Sequence, residues 1–477
     1  MSITIVGLGP GDPRYLTREA WEVLTSAEAV WLRTARHPTL AGLPPTITLH
    51  DFDALYEAAE DFDVVYRAIA QQILLLAQRL QGVIYAVPGH PLVGESTVQQ
   101  ILAGAQERGI AVRIVEGLSF VEPALTALGL DALAGLQIHD GIEIAARHHP
   151  PLNPDLPALI GQVYSRAMAS DLKLTLMNQY PDEHPIALLI GLGTAAQQVV
   201  HMPLYELDRR QVDHLTALYI PPMPQPGSFE ALQETVAHLR APDGCPWDRE
   251  QTHESLRSEL LEEAYEAVAA IEAGDMDGLC EELGDLLLEV LLHAQIATEE
   301  GDFKMVDVIA AIDAKLKRRH PHVWGQAVVK DEAALLRQWE QIKQQERKGN
   351  GSLLDGIPRA LPALQQAYTY GKRAARVGFD WPAAEAVVQK IDEEIAEVHA
   401  AQTEEEKSAE VGDLLFALVN WARHLHVDPE AALRQANERF ARRFRALETL
   451  ARQRGLELDK MDIAQMDALW EEIKSAQ

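Results

Sequence analysis

The sequence reads EEAYE at residues 262–266 and ELGD at 282–285, and it repeats this pattern as EEIAE at 393–397 and EVGD at 410–413. Residues three or four apart share one face of a helix, so each copy projects carboxylates to one side. Two facing helices would gather four or five carboxylates, which repel one another unless a cation holds them. A hard divalent cation with oxygen ligands, such as Mg²⁺, is the natural occupant.

The two copies lie in two helical halves. From Phe229 onward helical periodicity dominates, and the stretch KGNGS at 348–352 separates one half from the other. Fifteen residues separate the two acidic stretches in the first half and twelve in the second, which is room for a helix end, a turn and a helix start. Each half is therefore predicted to contain an antiparallel helix pair. Aligning the copies sets Glu281 opposite Ala409, so Glu281 is interpreted as a bystander.

Apolar periodicity predicts the individual helices of this region. They are predicted at 229–239, 255–273, 278–299, 305–319, 332–347, 360–376, 383–401, 407–425 and 430–454. Gly284 and Gly412 lie inside two of them, where glycine costs about 1 kcal/mol relative to alanine. We expect close approach of a neighbouring helix to explain that cost.

The first ~220 residues have a different pattern, with short apolar runs that alternate with helical segments. Strands are predicted at 3–8, 83–87, 112–115, 187–190 and 217–220, and helices at 17–29 and 64–80. This alternation predicts a layered α/β domain. The domain boundaries are predicted as 1–222 for this domain, 223–230 for a proline-rich linker, and 231–349 and 355–477 for the two helical repeats.

Composition narrows the function classes. The 477 residues carry a net charge of −30, which argues against a broad contact with nucleic acid or an anionic membrane. Two cysteines imply no disulfide framework. The N-terminus lacks the features of a signal peptide, and no apolar stretch reaches membrane-spanning length. We therefore expect a cytoplasmic protein without membrane or nucleic-acid partners, in which an anionic substrate would need metal ions or a local basic patch.

Further motifs accompany the acidic stretches in order. They are CPWD at 245–248, QTH at 251–253, KRRHPHV at 317–323, KR at 372–373, RVGFDW at 376–381 and NERFARRF at 437–444. From about Gly227 to the C-terminus the chain closely resembles MazG proteins. The resemblance implies an all-α nucleoside triphosphate pyrophosphohydrolase that releases nucleoside monophosphate and pyrophosphate with Mg²⁺, Mn²⁺ being an alternative. It also implies a homodimer formed through the helical region.

The resemblance suggests roles for individual residues. Metal ligands are expected at Glu263, Glu266, Glu282, Asp285, Glu394, Glu397, Glu410 and Asp413. Glu262 and Glu393 are expected to position or deprotonate the attacking water. Substrate contacts are expected at Trp247, Lys315, Arg318, Arg319, Lys372, Arg376, Trp381, Asn437, Arg439, Arg442 and Arg443. For the arginines and lysines the alternative is a solvated helix charge, and for the tryptophans it is an anchor in the core.

The N-terminal region has motifs of its own: GLGPGDP at 7–13, VPGHP at 87–91 and EGLSF at 116–120. Over about residues 1–222 these resemble the tetrapyrrole (corrin/porphyrin) methylases. The resemblance implies two α/β lobes with S-adenosylmethionine in the cleft between them. The expected cofactor-binding residues are Gly9, Pro10, Gly11, Asp12, Pro88, Gly89, His90 and Ser119. Such methylases commonly carry aspartate where this chain has His90, so the resemblance supports cofactor binding more than methyl transfer.

A methylase-like domain joined to MazG is the arrangement of YabN-like proteins. The function hypothesis is a Mg²⁺-dependent nucleoside triphosphate pyrophosphohydrolase with an appended methylase-like domain. Two alternatives are an S-adenosylmethionine-dependent methyltransferase with a nucleotide- or Mg²⁺-sensing helical domain, and a binding scaffold without catalysis. Both halves retain the full acidic set, and the second half has more basic residues, which favours it as the site of turnover.

Overall fold

The computed structural model describes residues 2–58, 62–327 and 352–475, together with 330–331, 334–335, 338–339 and 342. The chain divides into two compact units, Met1–Ile309 and Ala310–Gln477. Most of the helix predicted at 332–347 lies outside the described residues. Across the described residues, no helix combines the length and the apolar character that a bilayer span requires.

The first lobe of the N-terminal region contains a five-stranded parallel sheet in the order β3-β2-β4-β1-β5. Its strands are β1 Ser2–Gly7, β2 Ala29–Leu32, β3 Thr48–Asp51, β4 Val83–Val87 and β5 Ala111–Val115. The helices of this lobe are α1 Arg18–Thr25, α2 Asp53–Ala58, α3 Phe62–Leu76 and α4 Ser96–Arg108. Strand β1 lies inside the sheet between β4 and β5, and Ile3, Ile5 and Val6 are fully buried. A continuous apolar run is what a strand covered on both faces requires.

The second lobe contains a mixed five-stranded sheet in the order β6-β7-β10-β8-β9. Its strands are β6 Gln137–Asp140, β7 Ala158–Gly161, β8 Pro185–Ile190, β9 Gln198–Pro203 and β10 Thr216–Ile220. Its helices are α5 Val121–Leu128, α6 Gly141–Ala145 and α7 Arg166–Leu176. Strands β6 and β7 are parallel, and the other pairings are antiparallel. The two lobes confirm the predicted α/β class.

The boundary between these lobes and the helical region is held by hydrogen bonds. The Asp155 carboxylate accepts hydrogen bonds from the backbone N–H groups of Gly227 and Ser228 and from the Ser228 hydroxyl. Ser228 in turn caps the first helix of the helical region, α8 Phe229–Arg240, so the last two residues of the predicted linker 223–230 are helical. The end of this connection is therefore attached to the second lobe.

The helices that follow in the first half are α9 Pro246–Glu250, α10 Arg257–Ala273, α11 Met276–Glu300, α12 Met305–Arg319 and α13 Pro321–Trp324. Gly274 ends α10 in a left-handed conformation, and the Asp275 side chain caps α11 by accepting from the backbone N–H of Gly278. This two-residue turn makes α10 and α11 antiparallel neighbours. Leu256, which directly precedes α10, packs with Leu291 and Leu292 of α11 in the core of this half.

The second half contains α14 Ala363–Ala375, α15 Ala384–Ala400, α16 Glu404–His424, α17 Pro429–Gln453 and α18 Ile463–Ser475. Thr403 and Glu406 form a capping box at the start of α16, and Asp428 caps α17 with Pro429 in its first turn. Helices α15 and α16 pack against each other, as α10 and α11 do in the first half. The predicted helical duplication is confirmed.

Candidate metal and nucleotide sites

The first acidic stretches meet across the pair α10 and α11. Glu263 and Glu266 share one face of α10, and Glu282 faces them from α11; oxygen atoms of all three lie within 4.8 Å of one another. Desolvation and the charge of Asp285 raise the pKa of Glu263, and desolvation and the charge of Glu266 raise that of Glu282. The three carboxylates therefore repel one another unless a cation binds between them.

The second half builds the same arrangement. Oxygen atoms of Glu394 and Glu397 on α15 and of Glu410 on α16 lie within 4.8 Å of one another. Glu394 is only 4% exposed, and its Oε2 atom has no hydrogen-bond partner among the described residues. A buried carboxylate oxygen without a partner is costly, because its interaction with water is lost.

These donor sets fit a hard divalent cation. All the donors are carboxylate oxygens, which suit Mg²⁺ and Mn²⁺, and a bound ion would satisfy the unpartnered oxygen of Glu394. The predicted ligands Asp285 and Asp413 lie outside the two close triads found among the described residues. Asp285 is near enough to raise the pKa of Glu263, and Asp413 is exposed. Ligation by these two aspartates stays a prediction.

The proposed water-activating residues differ between the halves. Glu262 and Glu393 are both exposed. The Glu393 carboxylate lies 2.8 Å from the ammonium of Lys390, which also lies 2.7 Å from Glu394. Sequence reasoning missed Lys390, although its spacing of three and four residues before the two glutamates places all three on one helix face. The first half has Glu259 at the equivalent position.

The predicted basic contacts lie on three helices and one helix end. Lys315, Arg318 and Arg319 lie on α12, Lys372 lies on α14, Arg376 follows α14, and Asn437, Arg439, Arg442 and Arg443 lie on α17. Helix α14 packs against α16, the helix that carries Glu410, and against α17. The structure thus groups the second-half basic helices around one acidic helix, whereas contact of any single residue with phosphate stays a prediction.

The two tryptophans have different surroundings. Trp247 is 60% exposed, so it does not anchor the core of the described part, and it remains a candidate for stacking on a base. Trp381 is half-buried beside Asp380, whose carboxylate accepts from the Trp381 backbone N–H. Asp380 is itself paired with Arg423 and His424 of α16, so the backbone directly before Trp381 is anchored to that helix.

The expectation for the two helical glycines is wrong. A Cβ atom added at Gly284 or at Gly412 would meet no atom of the described chain within 4 Å outside its own neighbourhood. No neighbouring helix in the described part of the chain therefore requires glycine at these positions. Each glycine instead opens space between two predicted metal ligands of α11 or α16.

The glycine-rich turns of the N-terminal lobes converge. Gly9 and Gly89 exchange backbone hydrogen bonds of 3.3 and 2.9 Å. A Cβ atom at Gly7 would lie 2.6 Å from the Gly89 oxygen and 2.7 Å from the Gly117 nitrogen, so no side chain fits there. The loops after β1, β4 and β5 thus meet through bare backbone. We call this meeting of the Gly7, Gly89 and Gly117 loops the glycine cradle.

Several predicted cofactor residues already have protein partners. The Asp12 carboxylate pairs with Arg14 at 2.8 Å, and the hydrogen bonds from Arg14 lower the pKa of Asp12. The Ser119 hydroxyl hydrogen-bonds the Glu122 carboxylate at 2.8 Å, and the Nδ1 atom of His90 accepts from the Leu92 backbone N–H at 3.1 Å. Pro10, Gly11 and Pro88 lie in the same loops. Cofactor contact by the set stays a prediction.

His37 is a polar residue that sequence reasoning missed. It is 5% exposed and hydrogen-bonds the backbone of Gly9, and in the described part of the chain its Nδ1 atom has no hydrogen-bond partner. Burial lowers the pKa of His37 to about 4, so the ring is neutral at physiological pH. A lone histidine before a proline gives no signal in the sequence, because its burial follows from the folding of the loop after β2.

Family comparisons support the division of the chain. Residues 2–208 match the family of tetrapyrrole (corrin/porphyrin) methylases. Residues 251–324 match the MazG nucleotide pyrophosphohydrolase domain. Residues 368–440 match the phosphoribosyl-ATP pyrophosphohydrolase family.

Similar proteins cover either the whole chain or its helical half. The uncharacterized protein YabN of Bacillus subtilis (strain 168) is 41% identical over 491 residues, which span 100% of this chain and 99% of that protein. The nucleoside triphosphate pyrophosphohydrolase of Escherichia coli (strain K12) is 47% identical over 254 residues, 52% of this chain and 97% of that protein. The nucleoside triphosphate pyrophosphohydrolase/pyrophosphatase MazG of Thermotoga maritima is 46% identical over 247 residues, with 52% and 95% coverage. The chain therefore belongs to the MazG family, in the YabN-like arrangement that joins a tetrapyrrole-methylase-like domain to a duplicated MazG region.

Proposed function

We propose that this protein hydrolyses nucleoside triphosphates at the bond between the α- and β-phosphates, yielding nucleoside monophosphate and pyrophosphate with Mg²⁺ or Mn²⁺. The observation that carries the proposal is the pair of carboxylate triads, each within 4.8 Å, on equivalent helix pairs of the two halves. The relatives that share this region bear the names of nucleoside triphosphate pyrophosphohydrolases.

The reaction requires water to attack the α-phosphorus while the pyrophosphate leaves. Divalent ions, when bound by the carboxylates, would neutralise the triphosphate and lower the pKa of the attacking water. Glu393 would accept the proton of that water as its oxygen bonds to phosphorus. Lys390 contacts Glu393 at 2.8 Å and so fixes the position of this carboxylate on the face of α15 that also carries Glu394. Basic residues of α14 and α17 would bind the departing phosphates.

We place turnover in the second half. Its helix pair α15 and α16 includes Lys390, and the first half has no lysine at the equivalent position. The arginine-bearing helix α17 belongs to the same compact unit as this helix pair. The first half keeps its triad and would bind divalent ions as well. Both halves would contribute to a homodimer, since large apolar side chains such as Leu283, Leu415 and Phe440 are exposed on their helices.

For the N-terminal lobes we propose binding of S-adenosylmethionine at the glycine cradle. The meeting of three glycine-rich loops at Gly7, Gly89 and Gly117 supports this, together with the match of residues 2–208 to the tetrapyrrole methylase family. Isothermal titration calorimetry with S-adenosylmethionine tests it, and an absence of heat at high protein concentration would count against this ligand.

The hydrolytic proposal is tested by product identity. The protein is incubated with ribo- and deoxyribonucleoside triphosphates and Mg²⁺, and pyrophosphate and orthophosphate are assayed separately. We expect pyrophosphate from the wild type, a strong loss in Glu394→Gln and a smaller one in Glu263→Gln. Glu281→Gln is the matched control, since Glu281 is an exposed acid beside a ligand. Orthophosphate as the primary product would reject the bond assignment. Full activity of a variant that combines Glu263→Gln with Glu394→Gln would reject the metal sites.

A further inference from the structure

One lysine contacts the gathered carboxylates of the second half. The Lys390 ammonium lies 2.8 Å from Oε1 of Glu393 and 2.7 Å from Oε1 of Glu394. Glu394 is one of the three glutamates whose oxygen atoms lie within 4.8 Å of one another. A positive charge of the protein itself therefore stands beside the place where we propose that a divalent cation binds.

The contact uses one oxygen of Glu394 and leaves the other available. Oε1 is paired with the Lys390 ammonium, whereas Oε2 is buried and no described residue forms a hydrogen bond with it. The lysine therefore does not prevent this carboxylate from binding a cation. It offsets part of the negative charge that attracts the cation, and the burial of Glu394 limits how far water screens this effect.

The first half has the opposite charge at the equivalent position. Glu259 precedes Glu263 by four residues, as Lys390 precedes Glu394. Residues four apart on a helix lie on one face, so this position is next to the equivalent glutamate in both halves. The two triads consist of equivalent glutamates, whereas glutamate and lysine at this neighbouring position differ by two unit charges. The sites should therefore differ in their affinity for free cations.

We propose that Lys390 weakens the binding of free divalent cations by the second half, so that this site fills together with the nucleotide rather than before it. The proposal rests on the proposed function in one respect, namely that Glu394 and its neighbours bind a divalent cation. An ion already bound to a triphosphate brings negative charge with it, which the Lys390 ammonium attracts rather than repels.

This role suits a site of turnover. Mg²⁺ is commonly bound by one or two carboxylates together with substrate phosphates, so an ion that enters with the triphosphate can leave with the pyrophosphate. The first half, with Glu259 in place of the lysine, would instead fill with free ions at a lower concentration. The two halves would thus divide between a resident ion and an exchanging one.

The test measures Mn²⁺ binding by the full-length protein without nucleotide. Glu263→Gln and Glu266→Gln are combined in every sample to remove the site of the first half, and free Mn²⁺ is followed by electron paramagnetic resonance. We expect Lys390→Met to lower the dissociation constant for Mn²⁺ about tenfold, since one nearby positive charge is lost. Lys390→Arg keeps the charge and should change the constant by at most about twofold.

The matched control is Lys474→Met. Lys474 lies on α18 and pairs with Glu471 at 3.2 Å, so its loss also removes a lysine of the second half but should leave the dissociation constant unchanged. An unchanged or higher dissociation constant in Lys390→Met would overturn the proposal.

A reciprocal variant decides if circular dichroism shows that Lys390→Met does not fold. Glu259→Lys is placed in a protein whose second site is removed by Glu394→Gln and Glu397→Gln, and it should raise the dissociation constant of the first half at least about tenfold. An unchanged constant there would also overturn the proposal.

The affinity is independent of the reaction, because no nucleotide is present. A tighter Mn²⁺ site in Lys390→Met, in a protein whose wild type releases no pyrophosphate, would uphold the role of Lys390 and reject the hydrolytic proposal. Pyrophosphate release by the wild type without the change in affinity would do the reverse.

Discussion

Replacement of Lys390 by methionine should lower the local stability of α15 and make that stability depend on Mg²⁺. The substitution keeps the length and apolar stem of the side chain and removes the ammonium that lies 2.7 Å from Glu394. The Glu394 side chain is 6% exposed and that of Lys390 is 34% exposed, so the pair is intermediate between a buried and a surface ion pair. Loss of one partner costs about 3–5 kcal/mol in a buried pair, and an exposed pair contributes about 1 kcal/mol at most. We expect about 2 kcal/mol here.

The assay is hydrogen–deuterium exchange of peptides from α15 in the full-length protein. A loss of about 2 kcal/mol in local opening free energy corresponds to roughly 30-fold faster exchange. Mg²⁺ should restore most of the protection, because a divalent ion can pair with Glu394 in place of the ammonium. In the wild type the effect of Mg²⁺ on α15 should be smaller.

The matched control is Lys407→Met. Lys407 pairs with Glu404 at 3.1 Å, and both side chains are largely exposed, so its loss should change exchange by at most about fivefold. Exchange in Lys390→Met that equals the exchange in Lys407→Met would refute the argument from burial. Failure of Mg²⁺ to restore protection would refute the claim that Glu394 faces a cation site.

Three further perturbations have defined outcomes. Gly412→Ala should raise the thermal midpoint by an amount equivalent to about 1 kcal/mol, because the new Cβ meets open space, yet lower pyrophosphate release; a lower midpoint would show that the space is filled. Asp155→Asn should speed amide exchange at Gly227 and Ser228, and unchanged exchange in the variant would contradict a role for the Asp155 carboxylate in holding them. Hydrogen bonds from these two residues lower the pKa of Asp155. In the wild type the stabilisation from these hydrogen bonds should therefore be complete above the ordinary aspartate pKa and be lost as the pH falls through the lowered pKa. His37 should stay neutral in an NMR titration down to about pH 4, so the free energy of unfolding should fall as pH drops from 6.5 to about 4; titration of its ring near 6.5 would exclude its burial.

The periodicity of apolar residues predicted most helices of the helical region. The predicted segments 255–273, 278–299 and 407–425 lie within three residues of α10, α11 and α16, because long amphipathic helices repeat their apolar positions several times. The same spacing predicted that Glu263 and Glu266 share one helix face, and the antiparallel pair predicted from the short gap places Glu282 opposite them. The structure therefore brings Glu263, Glu266 and Glu282 together as the pattern predicts.

Features that depend on tertiary packing were not accessible. The predicted helix 17–29 is too long at its C-terminal end, since the helix ends at Thr25 and Ala29 already begins β2. The prediction was wrong there because a strand of four residues is too short to interrupt a helical pattern of apolar residues. The burial of Glu289 on α11 depends on what packs around that helix, which no spacing rule gives. The space beside Gly284 also follows from the position of its neighbours rather than from the cost of glycine in a helix.

The meeting of Gly7, Gly89 and Gly117 has a consequence for how this domain can vary over evolutionary time. Even a methyl group at Gly7 or Gly117 would lie within 2.5 to 2.7 Å of the backbone of another loop, and backbone cannot rotate away as a side chain can. The backbones of these three loops, which are distant in sequence, can therefore change position during evolution only together. In a library of all single substitutions, Gly7 and Gly117 should tolerate no replacement. Gly109, where an added Cβ atom would meet no described atom within 4 Å, should accept asparagine.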